Sequence, residues 1–139
     1  MSYVNINVHL VWGTKYRYKI LVGDKKDNLI SHIKENAIKQ EIEILEINGH
    51  FDHMHCVINL KSDQTISKVV QLIKGESSYW ANANKLFGFK LIWGKKYFAE
   101  SVSPSNLSKL RNYIINQASH HRKDPFTVKY RRFLKENDL

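Results

Sequence analysis

Hydrophobic and polar positions alternate over Tyr3–Trp12, placing Val4, Ile6, Val8 and Leu10 on one side of an extended chain. A period of two predicts a strand. The spacing then becomes helical. Asp24 stands where an N-cap is expected, and Leu29, Ile30, Ile33, Ala37 and Ile38 share one face up to about Gln40. Glu41–Ile47 predicts a second strand with Ile42, Ile44 and Ile47 inward, Asn48-Gly49 predicts a hairpin turn, and a third strand follows over Asp52–Leu60. Thr65 caps a helix that carries Ile66, Val69, Val70 and Ile73 at i, i+3, i+4 and i+7 and extends to about Asn82. Phe89–Trp93 and Tyr97–Val102 predict a further hairpin turning at Gly94. Ser103-Pro104 opens a helix through His121 with Leu107, Leu110 and Ile114 as its stripe, ending before Pro125, and the basic segment Val128–Lys135 predicts a short last helix.

The order strand, helix, strand, strand, helix, strand is that of a ferredoxin-like split β-α-β domain. The expected class is α+β: one antiparallel sheet with helices packed on it, followed by extra C-terminal helices. Without repeats, low-complexity segments or a Pro/Gly-rich linker, residues 1–139 read as a single domain. Many functions use this fold, so function has to come from a site.

Charge narrows the field. Twenty-two Lys and Arg against 13 Asp and Glu leave a net +9, which points to a polyanionic partner, most often nucleic acid. Only five of the basic residues are arginine, which favours phosphate contact over bidentate base reading. Aromatic and basic residues interleave in Lys15-Tyr16-Arg17-Tyr18-Lys19 and Lys95-Lys96-Tyr97-Phe98, a pattern suited to backbone contact plus base stacking and equally to snorkelling lysines at strand ends. Cys56 is the one cysteine, which excludes an internal disulfide framework and a multi-cysteine zinc site. Apolar runs such as Leu10-Val11-Trp12 are too short for a membrane span, and the N-terminus lacks a signal-peptide pattern. A cytoplasmic protein in a reducing compartment is the expectation.

Candidate chemistry concentrates in Asn48-Gly49-His50-Phe51-Asp52-His53-Met54-His55. His53 and His55 are two apart on a predicted strand, so both imidazoles leave the same face and can chelate one divalent metal. Satisfied or merely exposed histidines would have the same spacing. His50, nearer the turn, suits orienting a neighbour or touching nucleic acid. On the tyrosine-bearing helix, Tyr113 and Gln117 are four apart and share a face, with Tyr113 at the margin of the apolar stripe and its hydroxyl able to reach a site. Spacing alone does not separate this pair from an ordinary amphipathic tyrosine and a solvated glutamine.

Four blocks in order resemble the HUH-type single-tyrosine transposases of hairpin-recognising insertion sequences and the related REP-associated tyrosine transposases. These are His9–Arg17 at the first strand, Asp52-His53-Met54-His55, Ile66–Ser78, and Phe98–Ser103 followed by Arg111–Gln117. The resemblance covers nearly the whole chain. It implies that Tyr113 is the nucleophile that attacks a phosphodiester of single-stranded DNA, forming a 5′-phosphotyrosine link and a 3′-hydroxyl. It implies that His53, His55 and Gln117 hold a divalent metal, Mg²⁺ or Mn²⁺, and no catalytic position departs from the pattern. It further implies recognition of subterminal DNA hairpins and a homodimer with active sites shared between subunits. Lys15, Arg17, Lys74, Lys95 and Lys96 are the expected DNA contacts. Two other readings stand beside it: a domesticated or REP-associated HUH endonuclease, and a non-catalytic RNA-binding module of the same fold.

Overall fold

Alternation places side chains on both faces of the first strand, and both faces are covered. The computed structural model describes residues 2–116 and 132–133. β1 (Ile6–Gly13) is buried from Asn7 onward. It is followed by α1 (Gly23–Lys39), β2 (Glu43–His50), β3 (His53–Leu60), α2 (Ile66–Ala83), β4 (Phe98–Val102) and α3 (Pro104–Ile115). The sheet order is β2-β3-β1-β4 with every neighbour antiparallel. This is the ferredoxin-like α+β arrangement the element order predicts. The continuation of α3 to His121 and the last helix over Val128–Lys135 fall outside the described residues, apart from Arg132 and Phe133, which are helical. Among the described residues no helix is long and apolar enough to cross a membrane.

The period of two sorts the core into two layers. Val8, Leu10 and Trp12 of β1 and Met54, Cys56 and Ile58 of β3 face α1 and α2, where Leu29, Ile30, Ile33, Ala37, Val69, Val70 and Ile73 complete the larger cluster. Val11 and Val57 face the other way and pack with Leu110, Tyr113 and Ile114 of α3. Cys56 is fully buried, and burial pushes its thiol far up, so it stays protonated and packs as a small apolar side chain.

Several boundaries differ from the expected ones. Val4 precedes β1 and is exposed, Ile6 is exposed at the strand's first position although it pairs with Leu60, and the inward set is Val8, Leu10 and Trp12. α1 starts at Gly23 with Val22 as N-cap and no side-chain cap bond, so Asp24 lies in the first turn, where its charge suits the helix dipole. Ile38 is 77% exposed, since Ala37 and Ile33 already fill the face toward the sheet. Thr65 does cap α2, accepting from the Lys68 amide at 3.2 Å.

Asn48-Gly49 does not turn. Both residues are paired in β2, opposite His55 and Met54, and the chain reverses at Phe51-Asp52 instead, with Phe51 at φ 55°. Glycine is required at position 49 for close approach: a Cβ there would run into Met54 Sδ and lie 2.9 Å from the His53 carbonyl. A bulge between Ile44 and Glu46 shifts the register, which lets Ile42 and Ile47 both face the core although they are an odd number of residues apart. Phe89–Trp93 forms no strand. Asn82 on α2 holds Leu91 in both directions, at 2.9 and 2.7 Å, and Trp93 turns inward against Trp12 and donates to Ser77 Oγ at 3.0 Å. The Asn82 side chain thus takes the Leu91 backbone groups that a hairpin partner would have satisfied, while the Ile92 carbonyl and the Gly94 amide bond to Lys15 and Gly13 at the end of β1.

Candidate active site on the α3 face of the sheet

The strand order makes β3 and β1 central, so residues at their shared end are buried without being enclosed in the larger core. His53 and His55 leave β3 on the α3 side. Their rings lie 5.2 Å apart, centroid to centroid, at 75°. Both Nε2 atoms are buried. Each ring is held at Nδ1. His53 Nδ1 is 2.8 Å from Asp52 Oδ1, and His55 Nδ1 is 2.9 Å from Nε2 of His9 on β1, against which His55 also stacks.

Arg17 fixes Asp52 in turn. Arg17 donates to Asp52 Oδ2 through Nε and Nη2, each at 2.9 Å. Burial acts to raise the Asp52 carboxyl, but the hydrogen bond and charge of His53, followed by Arg17, outweigh it and hold the group below its ordinary value. Asp52 is therefore an ionised acceptor. An Nδ1–H of His53 can donate to it, and in that tautomer Nε2 is the basic nitrogen, as in a metal-binding imidazole.

Tyr113 comes from α3. Its ring packs edge-on to His55 with centroids 5.6 Å apart, within the Val11, Val57, Leu110 and Ile114 cluster, and the residue is only 4% exposed. It is thus deeper than the stripe margin at which spacing placed it. Asn48 anchors the helix end that carries it: Nδ2 donates to the carbonyls of Ile114 and Ile115 at 3.0 and 3.2 Å, filling acceptor positions the last turn leaves open. The residue chosen by sequence as a turn former is therefore the link between β2 and the tyrosine helix. Phe98 on β4 sits edge-on to His9 and to Phe133, closing the side of the site toward β4.

The structure brings His53, His55 and Tyr113 together. Gln117 lies outside the described residues. Among the expected DNA contacts, Lys95 and Lys96 are exposed and Lys15 is half-buried. Arg17 is committed to Asp52, and Lys74 donates to the Gly94 carbonyl at 2.6 Å with its pKa lowered by burial. His50 stands opposite His53 in the hairpin with its ring 4.0 Å from that of Phe51. Spacing gives no signal for His9 as the partner of His55 or for Asn48 as the anchor of α3, because these partners are 46 and 66 residues away, whereas Asp52 adjoins the His53 it holds.

Comparison with known proteins follows the same outline. A family model described as "Transposase IS200 like" matches residues 2–117. The chain is 29% identical over 118 residues to the ISDra2 transposase TnpA of Deinococcus radiodurans, covering 81% of this chain and 84% of that protein. It is 25% identical over 118 residues to the transposase for insertion sequence element IS200 of Salmonella typhimurium, covering 81% and 77%. Among solved structures, a candidate transposase of Deinococcus radiodurans R1 superposes with a TM-score of 0.68 at 25% identity, covering 84% of this chain and 95% of that one. The REP-associated tyrosine transposase bound to a REP hairpin shares the fold, with a TM-score of 0.64 at 19% identity over 100% of this chain and 88% of the other.

Proposed function

The chain belongs to the IS200-like transposase family, and from that premise we propose that it cleaves and rejoins single-stranded DNA with Tyr113 as nucleophile and His53 and His55 as ligands of a divalent cation. The observation that carries this reading is the packing of the Tyr113 ring 5.6 Å from His55, on the face from which both histidines project. Tyr113 Oη attacks phosphorus, the bond from phosphorus to the 3′-oxygen breaks, the phenol loses its proton and the leaving oxygen gains one. The product is a 5′-phosphotyrosine and a 3′-hydroxyl. The phosphoester conserves the bond, so a second 3′-hydroxyl can displace Tyr113 and rejoin the strand without ATP. Trapping a covalent adduct on Tyr113 tests the proposal.

The donor set fits Mg²⁺ or Mn²⁺. Asp52 fixes the His53 tautomer, and a proton on His55 Nδ1, donated to His9, leaves the second Nε2 available in the same way. Gln117 is the proposed third ligand. When bound, such a cation withdraws charge from the scissile phosphate. Asp52→Ala removes the acceptor behind His53 and leaves Arg17 without its carboxylate, so Mn²⁺ affinity in a titration is expected to fall about 10- to 100-fold.

Subterminal hairpins are the proposed DNA substrate, and Lys95, Lys96 and Lys15 the proposed phosphate contacts, with Arg17 and Lys74 holding the loops that present them. An RNA-binding module of this fold would need an open sheet face for base stacking. Here α3 covers the face that carries His53 and His55.

The homodimer takes a definite form. Exchange of α3 between two subunits reproduces the Tyr113–His55 contact across the dimer, because a swapped helix keeps its contacts. Mixing a Tyr113→Phe chain with a His53→Ala chain then restores one intact site per mixed dimer, and cleavage should recover toward a quarter to a half of wild type. Two chains that stay inactive on mixing would show that each closes its own site.

A further inference from the structure

The segment that links β1 to α1 exposes aromatic rings, and Leu21 at its end pairs with Phe51 of the hairpin that leads into His53 and His55. Tyr16 and Tyr18 are 64% and 60% exposed, and their rings meet edge to face at 6.1 Å. Phe51, at the tip of the β2–β3 hairpin, is 42% exposed. Cations lie over two of these rings: Lys15 Nζ is 5.3 Å from the Tyr16 centroid and Lys19 Nζ is 5.9 Å from that of Phe51.

This surface is built rather than incidental. Tyr16, Arg17 and Phe51 all occupy the left-handed region, at φ 58°, 59° and 55°, which bulky residues rarely adopt. Such backbone persists only where surrounding contacts dictate it. Thr14 Oγ1 donates to the Tyr18 carbonyl at 2.8 Å, Leu21 and Phe51 exchange backbone bonds at 2.8 and 3.1 Å, and Arg17 grips Asp52. Asp52 separates Phe51 from His53 by one residue and bonds to the His53 ring, so the rings and the site share one rigid frame.

We propose that Tyr16, Tyr18 and Phe51 form a stacking platform for unpaired bases of the DNA strand beside the His53–His55 site, with Lys15 and Lys19 taking its phosphates. Aromatic faces accept any base, and alternating cations track the backbone, the combination by which single strands are bound without reading sequence. The inference rests on the single-strand reading above and extends it to where the unpaired flank runs.

The test compares two probes of equal charge on the full chain: a fluorescein-labelled twelve-residue oligo(dT) and an abasic strand of the same length. The wild type is expected to bind oligo(dT) about tenfold more tightly. Tyr18→Ala and Phe51→Ala should each remove most of that preference while leaving abasic affinity in place, and Tyr18→Phe should keep it. As a second measurement on the unaltered chain, irradiation with a 5-iododeoxyuridine oligonucleotide should give adducts on Tyr16, Tyr18 or Phe51. Equal affinity for the two probes, or adducts confined to other residues, would overturn the platform. So would a wild-type dimer that Tyr18→Ala or Phe51→Ala converts to monomer, which would assign the patch to a second copy, or tighter binding of oligo(U), which would assign it to RNA. Neither probe needs to be cut. A base preference that persists when no Tyr113 adduct forms leaves the platform standing and removes the nuclease reading, and cleavage without base preference does the reverse.

Discussion

Tyr113→Phe is expected to eliminate the covalent protein–DNA adduct and to lower strand cleavage by at least about 10⁴-fold, the scale on which loss of a covalent nucleophile acts. The substitution deletes one oxygen and keeps the ring that packs with Val11, Val57, Leu110 and Ile114. Stability should therefore change by no more than about 1 kcal/mol, the range for a single hydrogen bond. Denaturing electrophoresis of labelled DNA after incubation checks the adduct, and thermal unfolding checks the fold. An adduct that persists in the Phe chain would move the nucleophile to another tyrosine. If Tyr113 were only a core residue, the Phe chain would cut normally.

His55→Ala should abolish cleavage by a different route. Withdrawal of charge by a bound cation contributes several kcal/mol to such a reaction, so losing a ligand is expected to cost about a thousandfold or more. The same substitution should remove high-affinity Mn²⁺ binding in a calorimetric titration, whereas Tyr113→Phe should keep it. That contrast separates the two roles. His55 is fully buried and bonded to His9, so truncation also leaves a cavity and an orphaned ring nitrogen and should cost about 1–3 kcal/mol of stability. His55→Gln, which preserves most of the volume, controls for that loss: Mn²⁺ affinity should still fall while unfolding stays closer to wild type. Undiminished Mn²⁺ binding by both variants would remove His55 from the metal site.

The local period of the chain was enough to place most of the scaffold. Alternation in β1 and β3, the Thr65 cap and the i, i+3, i+4, i+7 stripe of α2 are short-range signals, and each lies in the structure close to where it reads in sequence. The projection of His53 and His55 from one face follows from the same period of two. The signals that misled were those with two physical explanations. Asn48-Gly49 carries the composition of a turn, yet the glycine is there because Met54 and the His53 carbonyl come too close for a side chain, and the asparagine because α3 needs its last carbonyls filled. Phe89–Trp93 is apolar enough for a strand, yet Asn82 and Ser77 on α2 claim its polar groups first.

What sequence determined by itself was the element order and which residue types face a common side; that both faces of the central strands are buried came from the structure. What only the tertiary structure decided was who holds whom. His9 reaches His55 across 46 residues, Arg17 reaches Asp52 across 35, and Asn48 reaches the helix of Tyr113 across 66. No periodicity reports such pairs, because hydrogen-bond partners in an antiparallel sheet are set by strand order and register, and these are settled only when the two hydrophobic layers close on opposite faces of one sheet.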